Sequence, residues 1–232
     1  MVGVYKEKNG KYRASITFKR KHINLVQTND EYLASQMYED ARRIIDENLT
    51  INDYSGVLPL KKWVVIINYR DNNLYIKNPI YIYKSYFKYY ISKDIVLRFD
   101  KEDLFFYASH AIFMRGKQFF VNNYGIQENI LKRYGLIPFA KENRDYYFVN
   151  GDNYDFTYKN IKIINKYYGV YFENNEYVVK IKNKIIGKYK DDILAAIAYN
   201  KAVDKYNLNV EKNFLDISKD KYKLLEGIVE ID

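Results

Sequence analysis

The chain has 232 residues and carries 38 basic against 29 acidic side chains, a net charge of +9. Hydrophobic residues make up 48%, enough for packed cores, yet no apolar run approaches the ~20 residues of a membrane span, and the N-terminus lacks the apolar stretch of a signal peptide. There is no cysteine, which excludes disulfides and thiolate metal sites and favours a reducing compartment.

A basic, tyrosine-rich chain invites a polyanion partner. Lys, Asn, Ile and Tyr all have A/T-rich codons, so codon bias raises them together. The distribution of charge is therefore more informative than its total.

From the N-terminus, Asn9-Gly10 is a hairpin turn signal. Lys11 to Phe18 then alternates: Tyr12, Ala14, Ile16 and Phe18 point one way, and Lys11, Arg13, Ser15 and Thr17 the other. A turn at Lys19-Arg20-Lys21 leads into a third strand, His22 to Gln27. Asn29 or Asp30 caps a helix running to about Glu47, with Leu33, Ala34, Met37, Ala41 and Ile44 at helical spacing. Residues 1–29 hold seven basic groups against Glu7 alone, whereas the helix carries Asp30, Glu31, Glu39, Asp40, Asp46 and Glu47 against Arg42 and Arg43. The basic charge sits on the sheet and the helix serves as backing.

In the middle region, Trp63 to Tyr69 and Ile80 to Tyr90 are rich in β-branched and aromatic residues and read as strands, with Pro79 at a strand start. Asp100 is expected to cap a helix from about Lys101 to Met114, with Leu104, Phe105, Ala108, Ala111 and Ile112 on its apolar face. Gln127 to Tyr134 reads as a short helix ended by Gly135. Residues 54–165 hold 17 basic and 10 acidic groups. His110 lacks a second ligand at helical spacing and reads as a surface or satisfied residue rather than a ligand. Tyr81, Tyr83, Tyr86 and Tyr90 suit either strand packing or stacking on unpaired bases, packing being the commoner use.

The C-terminal part repeats the N-terminal grammar. An Asn174-Asn175 turn precedes a strand at 177–182, a turn at Asn183, a strand at 184–189 and an Asp191-capped helix to about Tyr206. Gly3-Val4-Tyr5 stands opposite Gly169-Val170-Tyr171, Tyr38 opposite Tyr199 and Ala41 opposite Ala202, over about forty-five residues per copy. Residues 166–190 again concentrate charge, six lysines against Glu173 and Glu176.

The order Gly169-Val170, Ile186-Gly187, Leu194-Ala195-Ala196-Ile197-Ala198-Tyr199-Asn200-Lys201-Ala202 and Asn213-Phe214 resembles the Apetala-type DNA-binding domain of plant ethylene-response factors, which also occurs in phage and mobile-element proteins. The first copy departs from it at Val26 and Ser35. The resemblance implies a three-stranded antiparallel sheet laid into the major groove with a helix behind it. Carried over, the DNA-facing residues are Tyr5, Arg13, Ser15, Thr17, His22 and Asn24 in the first copy and Tyr171, Lys180, Lys182 and Asn183 in the second. The neighbouring cations Lys11, Lys19, Arg20 and Lys184 join them. Most of the family's arginines are absent, so bidentate reading of guanine is largely lost.

Residues 150–162, Asn-Gly-Asp-Asn-Tyr-Asp-Phe-Thr-Tyr-Lys-Asn-Ile-Lys, are similar to the HNH homing-endonuclease core. Phe148 occupies the general-base histidine's place, Tyr147 that of the metal-binding aspartate, and Thr157 that of an arginine. A metal-activated nuclease needs a base and cation ligands, and an aromatic pair supplies neither. Asn160 is expected to persist as a structural hydrogen-bonding residue.

These readings set the expectations. The fold is α+β, with sheet-plus-helix modules at 1–53 and 166–232 around a degenerate HNH-like domain at 54–165. The function is non-catalytic binding of double-stranded DNA, as a viral or mobile-element regulator or transcription or replication factor derived from a homing endonuclease. No cofactor, metal or membrane is involved. Protein partners in a transcription or replication complex are expected, in the cytoplasm of a bacterium or virus-infected cell, or in a nucleus. The alternatives are an active endonuclease using Asp152, Asp155 and Asn160, and a scaffold for protein interaction.

Overall fold

The computed structural model describes residues 3–54, 56–182 and 184–231. Asn183, expected on the binding face, lies outside them.

Three antiparallel strands open the chain: β1 (Val4–Lys6), β2 (Tyr12–Phe18) and β3 (Lys21–Thr28), in the order β1-β2-β3. The Asp30 carboxylate accepts the Leu33 amide at 3.1 Å and starts α1 (Glu31–Asp46). Ala34, Met37, Ala41 and Ile44 turn inward from α1 onto Val4, Ala14, Ile16, Ile23 and Leu25 of the sheet. Asp40 also turns inward, only 7% exposed, and its carboxylate accepts the Leu58 amide at 3.0 Å. It is therefore not one of the helix's surface acids.

The expected strand at Trp63 to Tyr69 is instead helix, α2 (Leu60–Asn72). Trp63 to Asn68 are buried without interruption. A helix apolar all round shows no 3.6-residue period, so its β-branched composition misleads. The ends are punctuated locally: Pro59 precedes the first turn and Asn73 closes the last with φ +56°. Trp63, Ile66 and Ile67 join the first core, each such side chain contributing roughly 1.5–3 kcal/mol by burial.

Next come β4 (Ile80–Ile82), starting directly after Pro79, β5 (Tyr86–Tyr90) and β6 (Val96–Asp100). The expected helix from Lys101 to Met114 is shorter. A 3₁₀ turn at Lys101–Asp103 runs into α3 (Leu104–Ser109), and Ile112 begins a strand, β7 (Ile112–Arg115). Asp100 does not cap the helix with its side chain; its carboxylate accepts the Tyr158 amide at 2.7 Å. Phe105, assigned to the apolar face, is 93% exposed, while Tyr107 is fully buried. His110 is satisfied as expected, its Nδ1 lying 2.9 Å from the Phe106 carbonyl. β7 pairs with β8 (Gln118–Asn123) in a sheet completed by β9 (Ile126–Asn129). The helix expected from Gln127 is thus strand and then 3₁₀ (Ile130–Tyr134), ended as expected by Gly135 at φ +79°.

The remaining elements are β10 (Tyr146–Phe148), β11 (Asp155–Phe156), β12 (Ile161–Ile163), β13 (Val170–Glu173), β14 (Glu176–Ile181), β15 (Lys184–Tyr189), α4 (Asp192–Lys205) and α5 (Lys219–Ile228). Strand β11 runs parallel to β6 and completes a four-stranded sheet in the order β11-β6-β5-β4. The fold class is α+β. By contacts, the chain divides into two compact units, residues 1–128 with 153–158 and residues 129–152 with 159–232.

The two sheet-plus-helix modules share details that composition does not dictate. In each, the middle strand meets its partner across a bulge, at Ala14/Ser15 and at Val179/Lys180. Leu25 and Ile186, the extra residues opposite these bulges, are 4% and 1% exposed. Gly3 and Gly169 have φ of +80° and +66°, and an added Cβ would lie 2.0 Å and 2.3 Å from the rings of Tyr38 and Tyr199. Their carbonyls accept the amides of Ser15 and Lys180 at 3.0 and 2.8 Å. Asp191 caps α4 through the Leu194 amide at 3.0 Å, as Asp30 caps α1.

Candidate nucleic-acid interface

The outer face of β1–β3 follows from register. Tyr5, Arg13 and Gln27 lie side by side across the strands, as do Thr17 and His22, while Ser15 faces Asn24. Tyr5 is 56% exposed, and Thr17, His22, Asn24 and Gln27 are exposed too. The Thr17 hydroxyl lies 3.3 Å from His22 Nδ1. Lys11 and Arg20 are exposed at the turns.

Two of the expected residues are not presented freely on this face. Ser15 is 4% exposed, because a short side chain among larger neighbours sits below the surface. Lys19 is turned onto its own chain, where its ammonium donates to the Arg70 carbonyl at 2.8 Å and to Asn73 Oδ1, at the C-terminal end of α2. The unsatisfied carbonyls and negative dipole end of a helix attract such a cation.

A shallow depression on this face is lined by Glu7, Arg13, Asn24, Gln27 and Lys62, among others. The Lys62 ammonium donates to the Asn24 carbonyl. Arg13 Nη1 lies 3.7 Å from Glu7 Oε1, and its buried Nε has no hydrogen-bond partner among the described residues. The Gln27 amide also donates to Glu7. Arginine forks onto guanine, and Asn and Gln onto adenine, so three base-reading side chains share one depression. Gln27 and Lys62 were not foreseen. Strand alternation with Asn24 displaced by the bulge hides the first, and the misread helix hides the second.

The second module's face is less open. Register places Tyr171, Val178 and Lys188 together, yet Val178 is 4% exposed. The Arg144 guanidinium lies 5.5 Å from the Tyr171 ring centroid, and Asn165 accepts the Phe172 amide at 2.7 Å. Lys180 is bound to Glu173 at 2.7 Å. Tyr171 and Lys180 are therefore engaged by the chain itself, whereas Lys182 and Lys184 remain exposed. Lys184 hovers 5.6 Å from the Tyr206 ring centroid.

Arg144 is held by Asp145, which is completely buried. Asp145 takes hydrogen bonds from Arg144, the Lys141 amide at 2.8 Å and Asn165 Nδ2 at 3.1 Å. Burial pushes the Asp145 carboxyl up, but these bonds outweigh burial and hold it below the usual carboxylate value.

The nuclease-like segment forms a hairpin in which Tyr146–Phe148 pairs with Ile161–Ile163. Asn160 is 3% exposed, and it accepts the Asn150 amide at 2.8 Å while donating to the Asp152 carbonyl at 3.2 Å. That is the structural role expected of it. Phe148 points inward at 7% exposure, whereas Tyr147 is 40% exposed. Asp155 and Thr157 belong to the other compact unit. Both are buried, and Asp155 accepts the Thr157 hydroxyl at 2.7 Å and lies 3.8 Å from Arg98. Among the described residues no group of three or more His, Asp or Glu side chains is placed to hold a metal ion. No helix among them is long and apolar enough to cross a membrane.

No protein-family model matches the chain, and no curated protein or solved structure does.

Proposed function

We propose that this protein binds double-stranded DNA without cutting it, chiefly through the outer face of β1–β3. The observation that supports the reading most is the depression where Arg13, Asn24 and Gln27 lie together on an exposed sheet face with cations around it. Phosphate contacts would come from Lys11 and Arg20, and from Lys182 and Lys184 of the second module. The second sheet, engaged by Arg144 and Asn165, adds charge more than sequence reading. Such a protein suits a regulator of transcription or replication in a virus or mobile element, acting inside a cell beside protein partners, with the catalysis of a homing endonuclease lost.

The test is a salt titration of duplex affinity. Replacing Lys11, Arg13 and Arg20 with alanine is expected to weaken binding and flatten the log-affinity against log-salt slope by about 0.9 per lost phosphate contact. The matched control, Glu31→Ala with Glu39→Ala on α1, is expected to leave affinity unchanged or slightly raised. A triple variant that binds like the unaltered chain at every salt concentration would remove β1–β3 as the DNA surface.

A further inference from the structure

We propose a second, separate site: the outer face of β4–β6 binds an unpaired base of single-stranded nucleic acid, with Lys88 and Arg98 facing its phosphates.

Register places Tyr81, Lys88 and Arg98 side by side across the three strands. Alternation along β5 puts Tyr86 and Tyr90 on the same side as Lys88, and Tyr83 follows Tyr81 by two residues. The opposite side is core: Ile80, Phe87, Tyr89, Leu97 and Phe99 are all buried. Tyr81 still packs against the first core, and all four outer tyrosines are partly exposed.

They are already ordered. The Tyr83 and Tyr86 rings stack at 4.6 Å and 15°, and the Arg98 guanidinium lies 4.1 Å from the Tyr86 centroid. Tyr81 meets Tyr83 edge-on at 4.9 Å. A platform held this way loses little freedom when a further ring joins it. Beside it is a cavity of about 180 Å³ lined by Tyr81, Tyr83 and Tyr90 with Asn52 and Asp71. Asp71 accepts the Tyr81 hydroxyl at 3.0 Å. Burial, helped by that bond, pushes the Tyr81 phenol up to about 12, so it stays a donor. The Asn52 amide is exposed and offers both a donor and an acceptor to a base edge.

Charge selects the guest. Lys88 lies 5.7 Å from the Tyr83 ring centroid and has no carboxylate partner among the described residues; Arg98 is paired with Asp155 at 3.8 Å, with its side chain 39% exposed, and its buried Nε has no hydrogen-bond partner among them. Cations on the rim disfavour a cationic guest in the aromatic pocket. A flat ring tied to phosphate satisfies both features, and only an unpaired base presents its face, since duplex bases are already stacked.

The probe is fluorescein-labelled oligo(dT), read by anisotropy, together with the same oligomer carrying one 2-aminopurine. The full chain is expected to bind it and to quench the 2-aminopurine by stacking. Tyr83→Ala with Tyr86→Ala is expected to weaken single-strand binding five- to a hundredfold, roughly the span of one lost base–aromatic stack. Tyr83→Phe with Tyr86→Phe keeps the rings and should keep the affinity. Lys88→Ala is expected to flatten the salt dependence by about 0.7, the single-strand value. Duplex affinity should not move in any of these variants. Absence of oligo(dT) binding by the unaltered chain, or binding with unchanged 2-aminopurine emission, would overturn the proposal whether or not a variant folds. The oligo(dT) result is read without reference to duplex binding, so failure at β1–β3 and failure here are told apart.

Discussion

Glu7 is the acidic group on the basic sheet, and replacing it by its neutral isostere tests the first module's role directly. Glu7 and Arg13 pair at 3.7 Å with side chains 25% and 43% exposed. A surface pair of that kind contributes at most about 1 kcal/mol, reduced by solvent and salt screening. Glutamine keeps the size and can still accept from Gln27 and Asn9. The Glu7→Gln fold should therefore be nearly as stable as the original. If Arg13 lies against DNA, the Glu7 carboxylate stands within ~7 Å of a phosphate, a repulsion of about 0.6 kcal/mol at the dielectric of water. Its removal should tighten duplex binding by close to threefold. With a Debye length of about 10 Å at 0.1 M salt, the gain should shrink as salt rises. Anisotropy titrations of a mixed-sequence duplex at about 50 and 200 mM salt measure both effects. An affinity that falls, or stays the same at low salt, would refute the placement of Arg13 on the DNA surface.

Other outcomes follow from individual contacts. Lys19→Ala should destabilise the fold by about 0.3–1 kcal/mol, the contribution of a cation at a helix C-terminus, read as a lower melting temperature, while leaving the salt slope of DNA binding unchanged. Gly3→Ala should destabilise more than Gly10→Ala in denaturant titrations: both have positive φ, but only the first places a Cβ against the Tyr38 ring. Because the Asp145 carboxyl is held below its unfolded-state value, its stabilisation is complete above the ordinary carboxylate value and is lost as pH falls through the lowered one. Because the Arg144 side chain left behind is 44% exposed, Asp145→Asn should cost only about 1–3 kcal/mol and remove that part of the acid dependence, as followed by circular dichroism. Phe148→His should yield no divalent-cation-dependent nicking of plasmid DNA, since the new imidazole would enter a buried position with no metal-holding cluster among the described residues.

Much of the two terminal modules was legible because their signals are local. Asn174-Asn175 takes φ of +50° and +68°, the two-residue hairpin turn that its sequence announces. Asp30 and Asp191 cap the helices they precede. What the residues hid was non-local. The bulges could not be read, because pairing of Ala14 with Val26 and Ser15 with Asn24 depends on register. The apolar run of α2 has no period to betray a helix buried all round. Lys19 looked like any turn cation until α2 brought its carbonyls to it. The tyrosines of β4–β6 were visible as a composition, but their sharing one side with Lys88 and Arg98 is a property of three strands together.

The path of the chain sets an order of assembly during synthesis. Residues 129–152 belong to the second unit, yet 153–158 belong to the first, where Asp155 and Phe156 add β11 beside β6. The first unit therefore cannot be completed until residue 158 has left the ribosome, even though its other residues end at 128. Until then the edge of β6 is an unpaired row of amides and carbonyls, open to any extended peptide nearby. A ribosome paused between residues 128 and 153 would display a nascent chain with that edge still bare.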